Sequence, residues 1–299
     1  MDAREAVVKH LGGLRFDWPR LVRHPDLCGL PDHLPVLVQA YPDPIEVPWV
    51  ALHGARLFGI AGRGLTTKHL RPLHEVYRLA PSTRVAVEFY VDDRVLEGLW
   101  VNRHLIVQQL RQLDADLVLA PNFSVWVADM RFIQLVNIRR AFVFYHLLIE
   151  AGVRAVPDIS FSFFEPDGRM WADWVNSQEG LGAVSLFCGG KKIHASRRAL
   201  RETLEDIALF HRAVRSEVTF VLGGVHAPDR LAAYRRAAPG RRLVFCNGMA
   251  YAVAQRRRLL DPTARPPVAR SARDYFLLNT AFNERSYAAA LGSQVSDAV

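Results

Sequence analysis

The sequence predicts an α/β fold, an irregular, TIM-like (β/α) barrel with mainly parallel strands. Three observations predict it. Short β-branched runs alternate with longer stretches of helical periodicity, these runs number up to eight, and polar, glycine-rich clusters follow them. The clusters are Asp92-Asp93-Arg94, Pro121-Asn122-Phe123-Ser124, Cys188-Gly189-Gly190-Lys191-Lys192, Gly223-Gly224-Val225-His226 and Cys246-Asn247-Gly248. Ligands of such folds meet the C-terminal strand ends, where loops are free to vary and helix N-termini aim partial positive charge. An open doubly wound sheet is the alternative architecture.

The elements follow in order. An N-terminal arm with mixed signals runs over 1–35. The barrel domain, 36–260, opens with a strand at Val36–Tyr41 and a weaker one within Val50–Ile60. Strands are then expected at Arg84–Tyr90, Asp116–Ala120, Arg154–Ser160, Ala183–Cys188, Glu217–Leu222 and Arg242–Cys246. Helical spacing marks Val95–Leu113, Arg131–Ala151, Arg197–Val214 and Pro228–Ala237. The stretch from Asp43 to Leu79 holds several prolines and glycines and no clean βα unit, so at least one repeat is irregular. Asp261-Pro262 and Pro266-Pro267 end helical continuity and begin a C-terminal tail, 261–299.

Composition narrows the function classes. Half of the 299 residues are apolar, enough for one large core. The start, Met1-Asp2-Ala3-Arg4-Glu5, lacks the continuous apolar stretch of a secretion signal. The greasiest window, Ala141 to Val153, is interrupted by His146 and Glu150 and is shorter than the roughly 20 residues of a membrane span. The reading is a soluble, cytoplasmic protein without a membrane partner. Cys28, Cys188 and Cys246 have no paired ligand spacing and read as compact, inert thiols. A net charge of +8 favours an anionic partner, nucleic acid or nucleotide. From Arg235 to Arg273 there are ten arginines against one aspartate, including Arg256-Arg257-Arg258. Solvated arginines are the plain alternative for that run.

The sharpest constellation is Gly189-Gly190-Lys191-Lys192 leading through His194 and Ser196 to Arg197-Arg198 at a helix start. Cations there oppose the helix dipole unless an anion lies between them. A phosphate would resolve the conflict, held by Gly189, Gly190, Lys191, Lys192, His194, Ser196 and Arg198. The spacing is not that of a Walker motif, so nucleotide hydrolysis does not follow. Glu88, Asp92 and Asp93 are the acid candidates, with Asp92 and Asp93 assigned the catalytic role and one of them also fit to cap the next helix. Substrate-binding groups are Asn122, Ser124, Asp158, Ser160, Gly223, Gly224, His226 and Asn247, at or just after expected strand ends, with Gln134 and Asn137 on one side of the first two turns of the helix from Arg131. No zinc or calcium pattern occurs, no cofactor is indicated, and magnesium held through one carboxylate stays open. Oligomeric state is not encoded legibly.

At Phe89-Tyr90-Val91-Asp92-Asp93-Arg94, Trp100, Pro121-Asn122-Phe123-Ser124, Asp129, Gln134, Asn137, Arg139, Gly152 and Val156-Pro157, the chain resembles the domain of unknown function 4417 family. The resemblance runs from about Arg84 to Leu222 and implies a phage, plasmid or other mobile-element setting, with no activity attached. That family's usual Pro-Asp-Phe-Ser is Pro-Asn-Phe-Ser here, so Asn122 replaces an acid. A fainter likeness, at Leu222-Gly223-Gly224 and Asn247-Gly248-Met249-Ala250-Tyr251, is to guanine transglycosylase barrels and implies glycosyl-transfer-like chemistry. Those enzymes carry a zinc cluster, absent here, and a second acid, for which only Asp158 or Asp229 is available. Two function classes follow: an enzyme acting on a nucleotide or nucleic acid, or a nonenzymatic DNA-binding factor.

Overall fold

Each apolar run pairs in parallel with its neighbours, because alternate side chains find apolar surroundings on both faces of the wall. The structure, a computed structural model, describes residues 3–14, 29–59, 61–113, 115–126, 128–160, 165–189, 196–225, 227–264 and 271–292. The strands are β1 (His33–Leu37), β2 (Trp49–His53), β3 (Arg84–Glu88), β4 (Leu117–Leu119), β5 (Ala155–Val156), β6 (Ala183–Phe187), β7 (Thr219–Gly223) and β8 (Leu243–Asn247). They lie in the order β5-β4-β3-β2-β1-β8-β7-β6. The two ends of that order meet at one parallel bridge, Asp158 opposite Ser185. There Ile159 N–H donates to Ser185 O and Ser185 N–H to Pro157 O, both at 2.8 Å. The eight parallel strands therefore make a nearly closed α/β barrel rather than an open sheet.

Around it lie α1 (Ala3–His10), α2 (Gly54–Phe58), α3 (Leu73–Tyr77), α4 (Asp93–Val101), α5 (Arg103–Gln112), α6 (Arg131–Glu150), α7 (Glu165–Ser177), α8 (Arg197–Ala213), α9 (Pro228–Ala237), α10 (Met249–Ala254) and α11 (Ala272–Gly292). Three expectations shift. β1 begins three residues early, since Pro35 accepts extended backbone while Leu34 and Val36 fill the interior. The single helix expected over Val95–Leu113 breaks at Asn102, whose side chain turns back to donate to Gly98 O at 2.9 Å. The expected tail contains α11, which packs on α9, α10 and β1 and buries Tyr275, Phe276 and Tyr287. The irregular repeat is the connection from β1 to β2, which carries no helix and instead bridges Ile45 to Leu79.

Two apolar clusters result. One fills the barrel, with Leu34, Val36, Trp49, Ala51, Ala86, Leu117, Leu119, Val156, Ala183, Val221, Val244 and Cys246. The other lies between wall and helices. α6 has the length and composition of a membrane span, yet its Ile138, Phe142, Phe144 and Leu148 are buried in that outer cluster. Its Arg139 is buried too and donates to Leu11 O and Gly12 O, holding the end of α1.

Guanidinium groups stitch the end of the barrel where strands begin. Arg84 and Arg154 converge on Asp116, and Arg84 stacks over Trp49 at 4.2 Å. Arg215 donates to Val175 O, Asn176 O, Gln178 O and Leu181 O. Arg242 reaches Leu30 O. Arg241 is the centre of this region: 2% exposed, it donates to His211 O, Val214 O, Arg215 O, Ser216 O and Val218 O, and to His211 Nδ1, with its guanidinium 4.4 Å from the Phe220 ring centroid. Part of the arginine excess thus satisfies backbone carbonyls that end helices and precede strands.

Candidate active site

Stepping two residues along each strand from the interior cluster identifies what lines the other end of the barrel. Ala51 leads to His53, Ala86 to Glu88 and Tyr90, Val156 to Asp158, Ala183 to Ser185 and Phe187, Val221 to Gly223, and Val244 to Cys246. The apolar interior becomes polar at the C-terminal mouth. That is where barrels of this type hold ligands.

Asp158, 1% exposed, is the centre of one hydrogen-bonded group. Its Oδ1 accepts from Asn122 Nδ2 and, at 3.0 Å, from Ser160 Oγ, and its Oδ2 accepts from Ser185 Oγ at 2.9 Å. Asn122 Nδ2 also donates to Ser160 Oγ at 3.0 Å. Burial raises the Asp158 pKa to about 6, against the pull of the hydrogen bonds from Asn122, Ser185 and Ser160. A carboxyl group that titrates so near neutrality can both take and give a proton.

His53 and Glu88 make a second group, opposite each other in the register of β2 and β3. His53 Nδ1–H donates to Glu88 Oε1, while Glu88 Oε2 accepts from Tyr90 N–H at 2.6 Å. Burial lowers the His53 pKa, but the hydrogen bond and charge of Glu88 outweigh it, with Arg56 opposing and Asp92 assisting, so the net shift is upward.

Tyr90 stands between the two groups. Its ring stacks on Phe187 at 5.0 Å, and its hydroxyl is buried beside Ser185. Burial first, then the neighbouring Asp158, Cys246 and Glu88, outweigh the Ser185 hydroxyl and hold this phenol well above its ordinary pKa, so it is neutral at physiological pH. Cys246 is pushed far up by burial and by Glu88, and burial lifts Cys188 to about 12, so both are neutral thiols. Cys246 faces the interior and Cys188 the outer cluster, so they do not share a pocket.

The glycines have steric reasons. A Cβ on Gly223 would overlap the Tyr90 ring, and one on Gly189 or Gly224 would overlap the backbone of the other. Gly224 also takes φ +81°, a conformation that favours glycine. Gly223→Ala should therefore lower stability by about 1–3 kcal/mol in urea denaturation. Combining it with Tyr90→Ala should recover part of the loss if ring contact is the cause.

The remaining candidates fall into three sets. Asp92, on the β3–α4 loop, and Asp93, the first residue of α4, are exposed; Asp93 accepts from Ser124 Oγ at 2.5 Å, and Asn137 Nδ2 donates to Ser124 O at 2.7 Å. Through residues 122–124 this rim chain adjoins the Asp158 group. Gln134 donates to Trp126 O at 2.8 Å and accepts from Arg131, which forks onto buried Asp167, so it shapes the same loop. Asn247 is placed differently: it faces outward, donating to Val225 O and Tyr287 Oη and accepting from Met249 N–H, so its polar atoms join β8 to α11 and away from the mouth. Ser196 caps α8 by accepting from Ala199 N–H, and Arg198, at the start of that helix, pairs with Glu202 one turn on. That neighbouring acid answers part of the charge conflict with the dipole. Gly190, Lys191, Lys192, His194 and His226 lie outside the described residues.

Sequence reasoning misses His53 and places Glu88 behind its neighbours. The signal is the alternation Trp49, Ala51, His53 beside Ala86, Glu88, which puts a polar side chain at the inward C-terminal position of two adjacent strands. Among the described residues no group of three metal-ligating side chains assembles.

No curated protein matches the chain. Residues 66–223, just over half of it, match a family described only as a domain of unknown function (DUF4417). That stretch carries β3 to β7 and with them Glu88, Tyr90, Asn122, Asp158 and Ser185. By this match the protein is a member of the DUF4417 family.

Proposed function

We propose that the protein is an enzyme that acts on a nucleotide or nucleic acid at the barrel mouth, with Asp158 as its acid–base group. The observation that carries this reading is a buried carboxyl group tuned to about pH 6 at the C-terminal end of a (β/α) barrel. Strongly perturbed acids concentrate at catalytic sites because isolated burial of a charge destabilises a fold without other benefit. The rim groups Asp93, Ser124 and Ser160 supply acceptors and donors for a base or sugar. Two described residues support the phosphate part: Gly189 packs against Gly224 at the mouth, and Ser196 caps α8. Lys191, Lys192 and His194 fall between them in the sequence and His226 follows Gly224-Val225, so we assign them the phosphate.

Mass spectrometry of ligands retained through native purification, with thermal shifts against nucleoside monophosphates and short oligonucleotides, tests the reading. A retained nucleotide, or a stabilising shift with a millimolar nucleotide, is expected. Absence of both would remove the nucleotide class. A second reading, a nonenzymatic DNA-binding factor, draws on exposed Arg256, Arg257 and Arg258. They follow α10, which starts at the mouth and runs away from it, and they suit the negative end of that helix. Neutralising them should flatten the salt dependence of DNA binding only if that reading holds.

A further inference from the structure

We propose that His53, held by Glu88, is a second proton-transfer group of the mouth, acting on a ligand through Nε2. The inference rests on the mouth being a ligand site and adds a residue and a direction to it. Glu88 is fixed twice, by the Tyr90 amide on Oε2 and by the imidazole on Oε1, and is 3% exposed. It therefore holds the ring of His53 at Nδ1, and makes that nitrogen the proton-bearing one in the neutral ring. Nε2 has no hydrogen-bond partner among the described residues, and the side chain keeps 25% exposure.

The charges facing the imidazole are Glu88 from β3, Asp92 from the β3–α4 loop and Arg56 from α2. Two carboxylates against one guanidinium favour the imidazolium. Asp158 acts electrostatically on Tyr90, and its own carboxyl group accepts from three hydrogen-bond donors. One group is then suited to give a proton and the other to take one. In a turnover, His53 Nε2 hands its proton to a departing oxygen or nitrogen of the ligand and Asp158 accepts one from the attacking hydroxyl or water. The pair ends as neutral imidazole and carboxylic acid, and one proton returned through solvent resets it. Glu88 is a positioning residue here and His53 the catalytic one.

The test is a nitrogen NMR titration of histidine-labelled protein, together with carbethoxylation by diethyl pyrocarbonate mapped by mass spectrometry. His53 is expected to titrate above 6.5, with the Nδ1–H tautomer in its neutral form and modification at Nε2. Glu88→Gln should bring the midpoint below 6.5. The wild-type tautomer is readable even if that variant folds poorly. A neutral Nε2–H tautomer, or an Nε2 that resists carbethoxylation, would overturn the proposal. Nucleoside monophosphates are added in a parallel arm. If they stabilise the protein yet leave His53 modification unchanged, the pair fails and the nucleotide reading stands. If His53 has the expected tautomer and reactivity but no nucleotide binds, the pair stands and the nucleotide class fails.

Discussion

Asp158→Asn should stabilise the protein at neutral pH while removing turnover. The folded state raises this carboxyl pKa from 3.8 to about 6, so it binds the proton more tightly than the unfolded chain does. Stability from this group is full below about pH 4, falls as pH rises toward 6, and stays low above it. That gain in proton affinity on folding corresponds to about 3 kcal/mol, an upper bound for a group whose surroundings can relax. Asn fills the same volume, keeps an acceptor for Asn122 and Ser160, and offers its amide to Ser185, without a charge to desolvate. Urea denaturation of both proteins from pH 4 to pH 8 should show the difference widening across pH 4–6 in favour of the variant. Parallel curves would mean that Asp158 is not a buried acid that holds its proton toward neutrality. A residue that weakens the fold at working pH is expected where function requires it.

Arg241→Met should produce the largest loss of stability among the substitutions proposed for this barrel, about 3–5 kcal/mol. The guanidinium reaches five backbone carbonyls and one imidazole nitrogen, and Met can replace its stem but none of its donors. The buried carbonyls of Val214 and Val218 would lose this donor. Arg241→Lys should recover only part, since one ammonium cannot span the fork's directions. Chemical denaturation measures both, and a loss under about 1 kcal/mol for Arg241→Met would show that water replaces the donors.

These two residues show what the sequence makes legible. Barrel topology is readable because each strand has an apolar run and each loop after it a polar cluster, so Gly223-Gly224 and Asn122-Phe123-Ser124 mark the mouth from composition alone. Burial of a single acid is less legible. Asp158 follows Pro157 and an alternating pattern, but its enclosure by Ser185 depends on the contact of the first and last edges of the sheet, which no local spacing encodes. Arg241 reads from sequence as one more surface cation in a basic stretch, and only the convergence of the α8 end with the β7 start gives it its carbonyls. Asn247 misleads in the opposite sense: a polar residue at a strand end points outward by the same alternation that turns Cys246 inward. The helix over 197–213 is the easiest to read, with Ser196 as cap and one apolar stripe, since all its determinants are local.

The wall of this molecule is fastened by an ionisable clasp. Where the first and last edges of the sheet join, the clasp has one carboxylate on one side and one serine on the other. Gaining or losing a single proton there changes one side-chain link across the join, while the two main-chain links beside it carry no titrating group.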